Sequence, residues 1–238
     1  MFKQIITAGL LAFASMSVYA QHDHGEEEGH GDVEGGIVGS QIVISGGEMV
    51  AAGGHIYEGD FGDAEGGPYE TDAPGFDIDG FNTGEILAFN VVGPLQFWNG
   101  TSWGTASTGA ADSGTVSILD AQTSVFNVDG ASVLEGLVAV GAADALGEVH
   151  QHIEFSINAS AATGSYLFEA ALFGYDSTFT NLLYTASETV YIALNNGLSE
   201  LAFEGSVDAF ANPVPVPAAW LFMASGLASL ILGRRAKA

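Results

Sequence analysis

The 238-residue chain contains no cysteine. Disulfides, thiolate metal sites and thiol nucleophiles are therefore excluded, and stability has to come from a packed core. Positive charge is almost as scarce, with four Lys and Arg against 29 Asp and Glu. Those four, Lys3, Arg234, Arg235 and Lys237, all lie in terminal segments, so the body from Gln21 to Asn212 carries every carboxylate and neither Lys nor Arg. A surface of that sign excludes nucleic acid and anionic lipid as partners. It suits cations or a cation-bridged polymer matrix, and its self-repulsion means that bound metal or salt stabilises the fold. The Gly-x-Ser-x-Gly elbow, the phosphate loop and the His-Glu-x-x-His helix are also missing, so the chain reads as a non-enzyme.

The ends carry sorting information. Met1 to Gln4 holds one cation, Ile5 to Val18 is apolar or small, and Val18-Tyr19-Ala20 offers a signal-peptidase site. Residues 1–20 are thus expected to be a signal peptide, removed so that the mature chain begins at Gln21. At the other end, residues 213–238 combine Val214-Pro215-Val216-Pro217, an apolar run from Ala218 to Leu232, and Gly233-Arg234-Arg235-Ala236-Lys237. Pro217 suits a first helical turn. The run is short for the roughly 20 residues of a membrane span, and bilayer thinning with snorkelling arginines closes the gap. The basic end stays cytoplasmic, which leaves the body outside.

This tail resembles the PEP-CTERM sorting signal of Gram-negative bacteria, in its Val-Pro-x-Pro-Ala-Ala variant, through Val214-Pro215-Val216-Pro217-Ala218-Ala219-Trp220. Val216 stands where the name-giving motif has Glu. The resemblance implies cleavage by an exosortase-type membrane protease, then release to the cell surface or extracellular matrix, with exopolysaccharide as a further partner.

Between the signals, residues 21–36 form a polar tract with His22, His24 and His30 among acidic residues, expected to be a flexible arm. Residues 37–212 change to short apolar runs separated by turn residues. The runs are Ile42–Ile44, Ile86–Val92, Leu95–Trp98, Thr115–Leu119, Val133–Val140, Val149–Ile157, Tyr166–Phe173 and Thr189–Leu194. Asn99-Gly100, Asp129-Gly130 and Asn195-Asn196-Gly197 supply turns. No helical spacing is sustained before Ala218. The pattern predicts an all-β fold, an antiparallel β-sandwich of roughly eight to ten strands, with one C-terminal transmembrane helix at 218–232. Residues 59–80 and 101–114 are expected to be long loops. The first is rich in Gly and Asp and is a candidate for Ca²⁺, although Asp77-Ile78-Asp79-Gly80 lacks the remaining positions of a calcium loop.

Chemistry concentrates in Glu148-Val149-His150-Gln151-His152-Ile153-Glu154-Phe155. On one strand, alternation places Glu148, His150, His152 and Glu154 on one face, with Val149, Gln151, Ile153 and Phe155 inward. Imidazoles at i and i+2 chelate one ion, and a carboxylate ligates it or orients a ring. A polar exposed face with incidental histidines is the plain alternative. His22, His24 and His30 form a second candidate set for Zn²⁺, Cu²⁺ or Ni²⁺, and His55 completes either set or lies on the surface. A hydrolytic zinc site built on His150 and His152 with a distant third ligand is the enzymatic alternative.

Gly29-His30-Gly31-Asp32, Phe89-Asn90-Val91-Val92-Gly93-Pro94-Leu95, His150-Gln151-His152-Ile153-Glu154-Phe155 and Tyr191-Ile192-Ala193-Leu194-Asn195-Asn196-Gly197 are similar to a PEP-CTERM family repressed by the bacterial zinc-uptake regulator. That resemblance implies zinc acquisition or surface zinc handling under starvation. The competing reading is a non-catalytic matrix, biofilm or adhesion protein.

Overall fold

Alternation is the local rule that shapes several strands. In Gln41–Ser45, Ile42 and Ile44 are buried while Gln41, Val43 and Ser45 face out, as expected for a strand with one wet face. The computed structural model describes residues 31–63, 67–106, 114–131, 134 and 136–213. The signal peptide, His22, His24, His30, the sorting motif and the tail helix lie outside them.

The described residues are mostly β and form three sheets. The first joins β1 (Val33–Val38), β2 (Gln41–Ser45), β6 (Phe76–Asp79) and β13 (Glu148–Gln151) in the order β13-β6-β1-β2. A large second sheet runs β12-β7-β15-β17-β4-β3. Its members are β3 (Glu48–Met49), β4 (His55–Asp60), β7 (Ile86–Val91), β12 (Val138–Ala142), β15 (Gly164–Tyr175) and β17 (Val190–Asn196). Off that path, β8 (Gln96–Trp98) and β16 (Leu182–Tyr184) pair with β15, and β9 (Trp103–Thr105) pairs with β8. The third sheet, β11-β10-β14-β5, holds β5 (Glu70–Thr71), β10 (Val116–Leu119), β11 (Val125–Val128) and β14 (Glu154–Ile157).

One core cluster takes side chains from all three sheets, including Val33, Phe76, Phe89, Ile118, Phe155, Phe168 and Ile192. Four phenylalanine rings run through it as a chain. Phe76 lies 5.7 Å from Phe89, Phe89 6.5 Å from Phe168, and Phe168 6.0 Å from Phe155. These spacings are those of favourable aromatic pairs. The opposite face of the large sheet is covered by α1 (Glu200–Ala211), whose Phe203, Val207 and Ala211 meet Ile56, Leu167, Tyr191 and Ala193. Coverage on both sides explains why every residue of β17 is buried. The Trp103 indole N–H donates to the Ser206 carbonyl at 2.8 Å, tying the helix to β9.

Several expectations are corrected. Two of the three sheets are mixed, since β1 pairs in parallel with β6 and β17 with β4, and only the third is wholly antiparallel. Parallel partners are separated by long stretches of chain, so turn residues carry no sign of them. The described strands number 17, more than eight to ten, because two-residue and three-residue pieces such as β3, β5 and β16 fall below a recognisable run. α1 overturns the absence of helix before Ala218; its i, i+4, i+8 spacing of Phe203, Val207 and Ala211 is apolar on a narrow stripe only. β1 starts at a fully buried Val33, so the arm ends before Gly36. The 59–80 stretch contains the end of β4, β5 and β6, and 101–114 contains β9, so neither is one long loop. Among the described residues no helix is long and apolar enough to cross a membrane.

Truncating Phe203 to Ala is expected to cost about 3–5 kcal/mol of unfolding free energy, as for other buried aromatic truncations. Leu201→Ala, at an 85% exposed position on the same helix, should change it by less than about 0.5 kcal/mol. Urea denaturation of both variants measures the contrast, and equal effects would mean that α1 does not seal the large sheet.

Candidate metal centre

The histidine segment does not stay in one strand. β13 pairs with β6 in the first sheet, whereas β14 pairs with β10 and β5 in the third. The chain changes sheets across His152-Ile153, where neither residue belongs to a strand. Buried Val149, Ile153 and Phe155 anchor both sides of the crossing, but alternation breaks between them, because His150, Gln151 and His152 are all exposed. His150 and His152 face out as expected and Glu148 is half-buried, whereas Gln151, expected inward, is exposed.

The two imidazoles meet with ring centroids 5.6 Å apart and planes at 71°. His152 Nδ1 lies 3.0 Å from the Asp72 carbonyl. A carbonyl can only accept, so Nδ1 carries the proton and Nε2 of the neutral ring keeps its lone pair. Nε2 lies 3.8 Å from Asp32 Oδ2. Asp32 is itself held, because its Oδ1 accepts from the Gly75 backbone N–H at 3.1 Å while Val33 N–H donates to the Gly75 carbonyl at 2.9 Å. Asp32, His150 and His152 each present a ligand atom within 4.8 Å of the others.

Gly75 forms one wall of this group. A Cβ there would lie 2.6 Å from His152 Cε1 and 2.7 Å from Asp32 Oδ1, closer than any real side chain tolerates. A side chain at this position would push the ends of His152 and Asp32 out of this arrangement.

A second group, Asp77, Glu148 and His150, lies within the same 4.8 Å limit. Cross-strand register builds it, with His150 opposite Asp77 and Glu148 opposite Asp79. His150 Nδ1 is 3.8 Å from Asp77 Oδ2. The nearby Asp77 carboxylate, assisted by burial and by Asp79 and Asp144, pushes the Glu148 carboxyl above its ordinary range, and His150 offsets part of this. No Lys or Arg lies among the described residues, so there His55, His150 and His152 are the only side chains able to carry positive charge. Each faces a carboxylate at 3.7–3.8 Å.

The remaining candidates are placed elsewhere. His55 sits on β4 in the large sheet, with Nδ1 2.6 Å from the Gly46 carbonyl and Nε2 3.7 Å from Glu188. It joins neither group. Glu154 is exposed on β14, opposite Leu119, and also falls outside both groups. Of the acidic 59–80 stretch, among the described residues only Asp77 contributes a carboxylate to such a group, and Asp72 contributes its backbone carbonyl. Sequence reasoning missed Asp32, Gly75 and Asp77 as site residues. The alternation of Phe76-Asp77-Ile78-Asp79 was a usable strand signal for Asp77; Asp32 and Gly75 had none.

Two nitrogens and one carboxylate oxygen make three donors of the kind that holds zinc with one position open. No protein-family model and no curated protein matches the chain.

Replacing Glu148 by Gln is expected to raise the melting temperature of the metal-free protein by about 1–2 °C at pH 7, the scale of an exposed like-charge pair. Because the folded state raises this carboxyl's proton affinity, its penalty is present above the folded pKa and disappears below the unfolded one. The gap between variant and parent should thus close as the pH falls towards about 4. Melting curves in chelator across that range check the sign, and a gap that widens in acid would contradict it.

Proposed function

We propose that this is an exported, non-enzymatic, acidic β-protein that binds a divalent transition metal, zinc foremost, and handles it at the cell surface. The carrying observation is the convergence of His150, His152 and Asp32, with the His152 tautomer set by the Asp72 carbonyl and Gly75 opening the space. A ring N–H held by a carbonyl is the usual outer support of a ligating histidine. The reading of the fold as a β-sandwich rests on one core shared by the large sheet and the two smaller ones. His30 stands two residues before Asp32 in the sequence, so His22, His24 and His30 act as a tethered capture arm that raises metal concentration near the folded ligands. Ca²⁺ at the acidic 59–80 stretch remains a secondary role for that surface. The signal peptide, the exosortase-type cleavage near Val214–Pro217 and the membrane-held precursor complete the route to the surface, where exopolysaccharide is a partner.

The matrix or adhesion reading draws on the histidine–carboxylate pairs, which balance charge without any metal. Zinc titration by calorimetry, with His22, His24 and His30 replaced by Ala to silence the arm, separates the two. The parent should bind zinc, and its stability should rise by about 2.7 kcal/mol at a hundredfold excess over the dissociation constant. His150→Ala/His152→Ala should abolish that response, and Gly75→Ala should weaken binding at least tenfold while removing no ligand. Binding should also weaken in acid, because neutral imidazole is the ligating form. Identical zinc responses of parent and double variant would leave the segment a polar face. For the route, mass spectrometry of surface-shed protein is expected to find chains beginning at Gln21 and lacking Arg234-Arg235. Shed chains retaining that end in cells with active exosortase would count against sorting.

A further inference from the structure

We propose that Asp77, Glu148 and His150 form a second divalent-cation position beside the two-histidine one, and that His150 serves both, so that the two positions exclude one another. The competition rests on the zinc reading above; the second position itself does not. His150 is the only residue common to the two groups. In the second group it is joined by carboxylates from two neighbouring strands, Asp77 on β6 and Glu148 on β13.

Register makes this arrangement costly without a cation. Glu148 lies directly opposite Asp79, and Asp77 is flanked by Glu34 on β1 as well as by His150 on β13. Like charges facing across a ladder destabilise it. Neither Lys nor Arg is available among the described residues to relieve them, which leaves His150 or a bound cation.

The donor sets differ in kind. Asp32, His150 and His152 offer two imidazoles and one carboxylate, which suits zinc-like ions. Asp77, Glu148 and His150 offer one imidazole and two carboxylates, which shifts preference towards harder ions such as Mn²⁺. A monodentate imidazole in one position is lost to the other, so occupancy of one lowers affinity at its neighbour by the same factor in both directions.

The test uses the full chain with His22, His24 and His30 replaced by Ala, at physiological salt, with Mn²⁺ binding followed by electron paramagnetic resonance. The parent is expected to bind one tightly held Mn²⁺. His152→Ala, which removes only the two-histidine position, should keep that Mn²⁺, whereas Asp77→Asn/Glu148→Gln should weaken it at least tenfold. One equivalent of Zn²⁺ should displace the Mn²⁺ from the parent and do so much less well from His152→Ala. Unchanged Mn²⁺ binding in Asp77→Asn/Glu148→Gln would overturn the second position even if zinc binding persists. Stable Mn²⁺ and Zn²⁺ together on the parent would overturn the sharing of His150. A separate zinc titration of His152→Ala keeps failure of the two-histidine reading distinct, since only that reading requires zinc affinity to fall there. Circular dichroism of each variant confirms that a lost ion does not reflect a lost fold.

Discussion

The chain of Phe76, Phe89, Phe168 and Phe155 rings is the packing on which the rest of the molecule depends. Phe76 comes from the first sheet, Phe89 and Phe168 from the large one, and Phe155 from the third. With no disulfide available, these contacts and the aliphatic side chains around them hold three sheets in register. Buried aromatic pairs of this kind add to their large area burial a geometric preference that resists sliding. Helix α1 then seals the far face of the large sheet, which allows β17 to be buried on both sides throughout and β15 over its first five residues.

The same rings place the polar groups of the site. Phe76 lies between Gly75 and Asp77, so the ring that enters the core sets both the glycine wall of one ligand group and a carboxylate of the other. Phe155 and Ile153 anchor the strand just past the sheet crossing and hold His152 outward at the seam. Burial of apolar side chains is therefore what gives the exposed imidazoles a defined geometry. Their surroundings are set by charge: a body rich in carboxylates and free of Lys and Arg leaves histidine as its only internal cation. That combination makes these histidines either charge-balancing partners or ligands, with His152 Nδ1 held by the Asp72 carbonyl in both cases.

Secondary structure was legible where apolar runs alternate or persist between turns. Ile42 and Ile44, the run from Ile86 as far as Val91, Tyr166–Phe173 and the run to Leu194 from Val190 onward fall in strands. The Asn99-Gly100 turn also holds, with Gly100 at φ 90° and Asn99 Oδ1 accepting from the Thr101 and Ser102 N–H groups. Helix α1 escaped notice because its apolar stripe is narrow and interrupted by Glu204, Gly205 and Asp208. Strands β5 and β6 were hidden by their carboxylates, which resemble loop composition although Thr71, Phe76 and Ile78 point into the core.

By itself the sequence determined the β-rich character of the body, its negative charge, the absence of covalent cross-links, and the outward placement of His150 and His152. Each follows from composition or from two-residue periodicity, which are local properties. Tertiary structure alone decided that the histidine segment changes sheets, that β1 and β6 run in parallel, and that Asp32 and Gly75 arrive beside His152. Asp32 and His152 are far apart along the chain, and nothing in the residues around either one encodes the other. Their meeting depends on how three sheets close on a shared aromatic core, and that closure is a property of the packed whole.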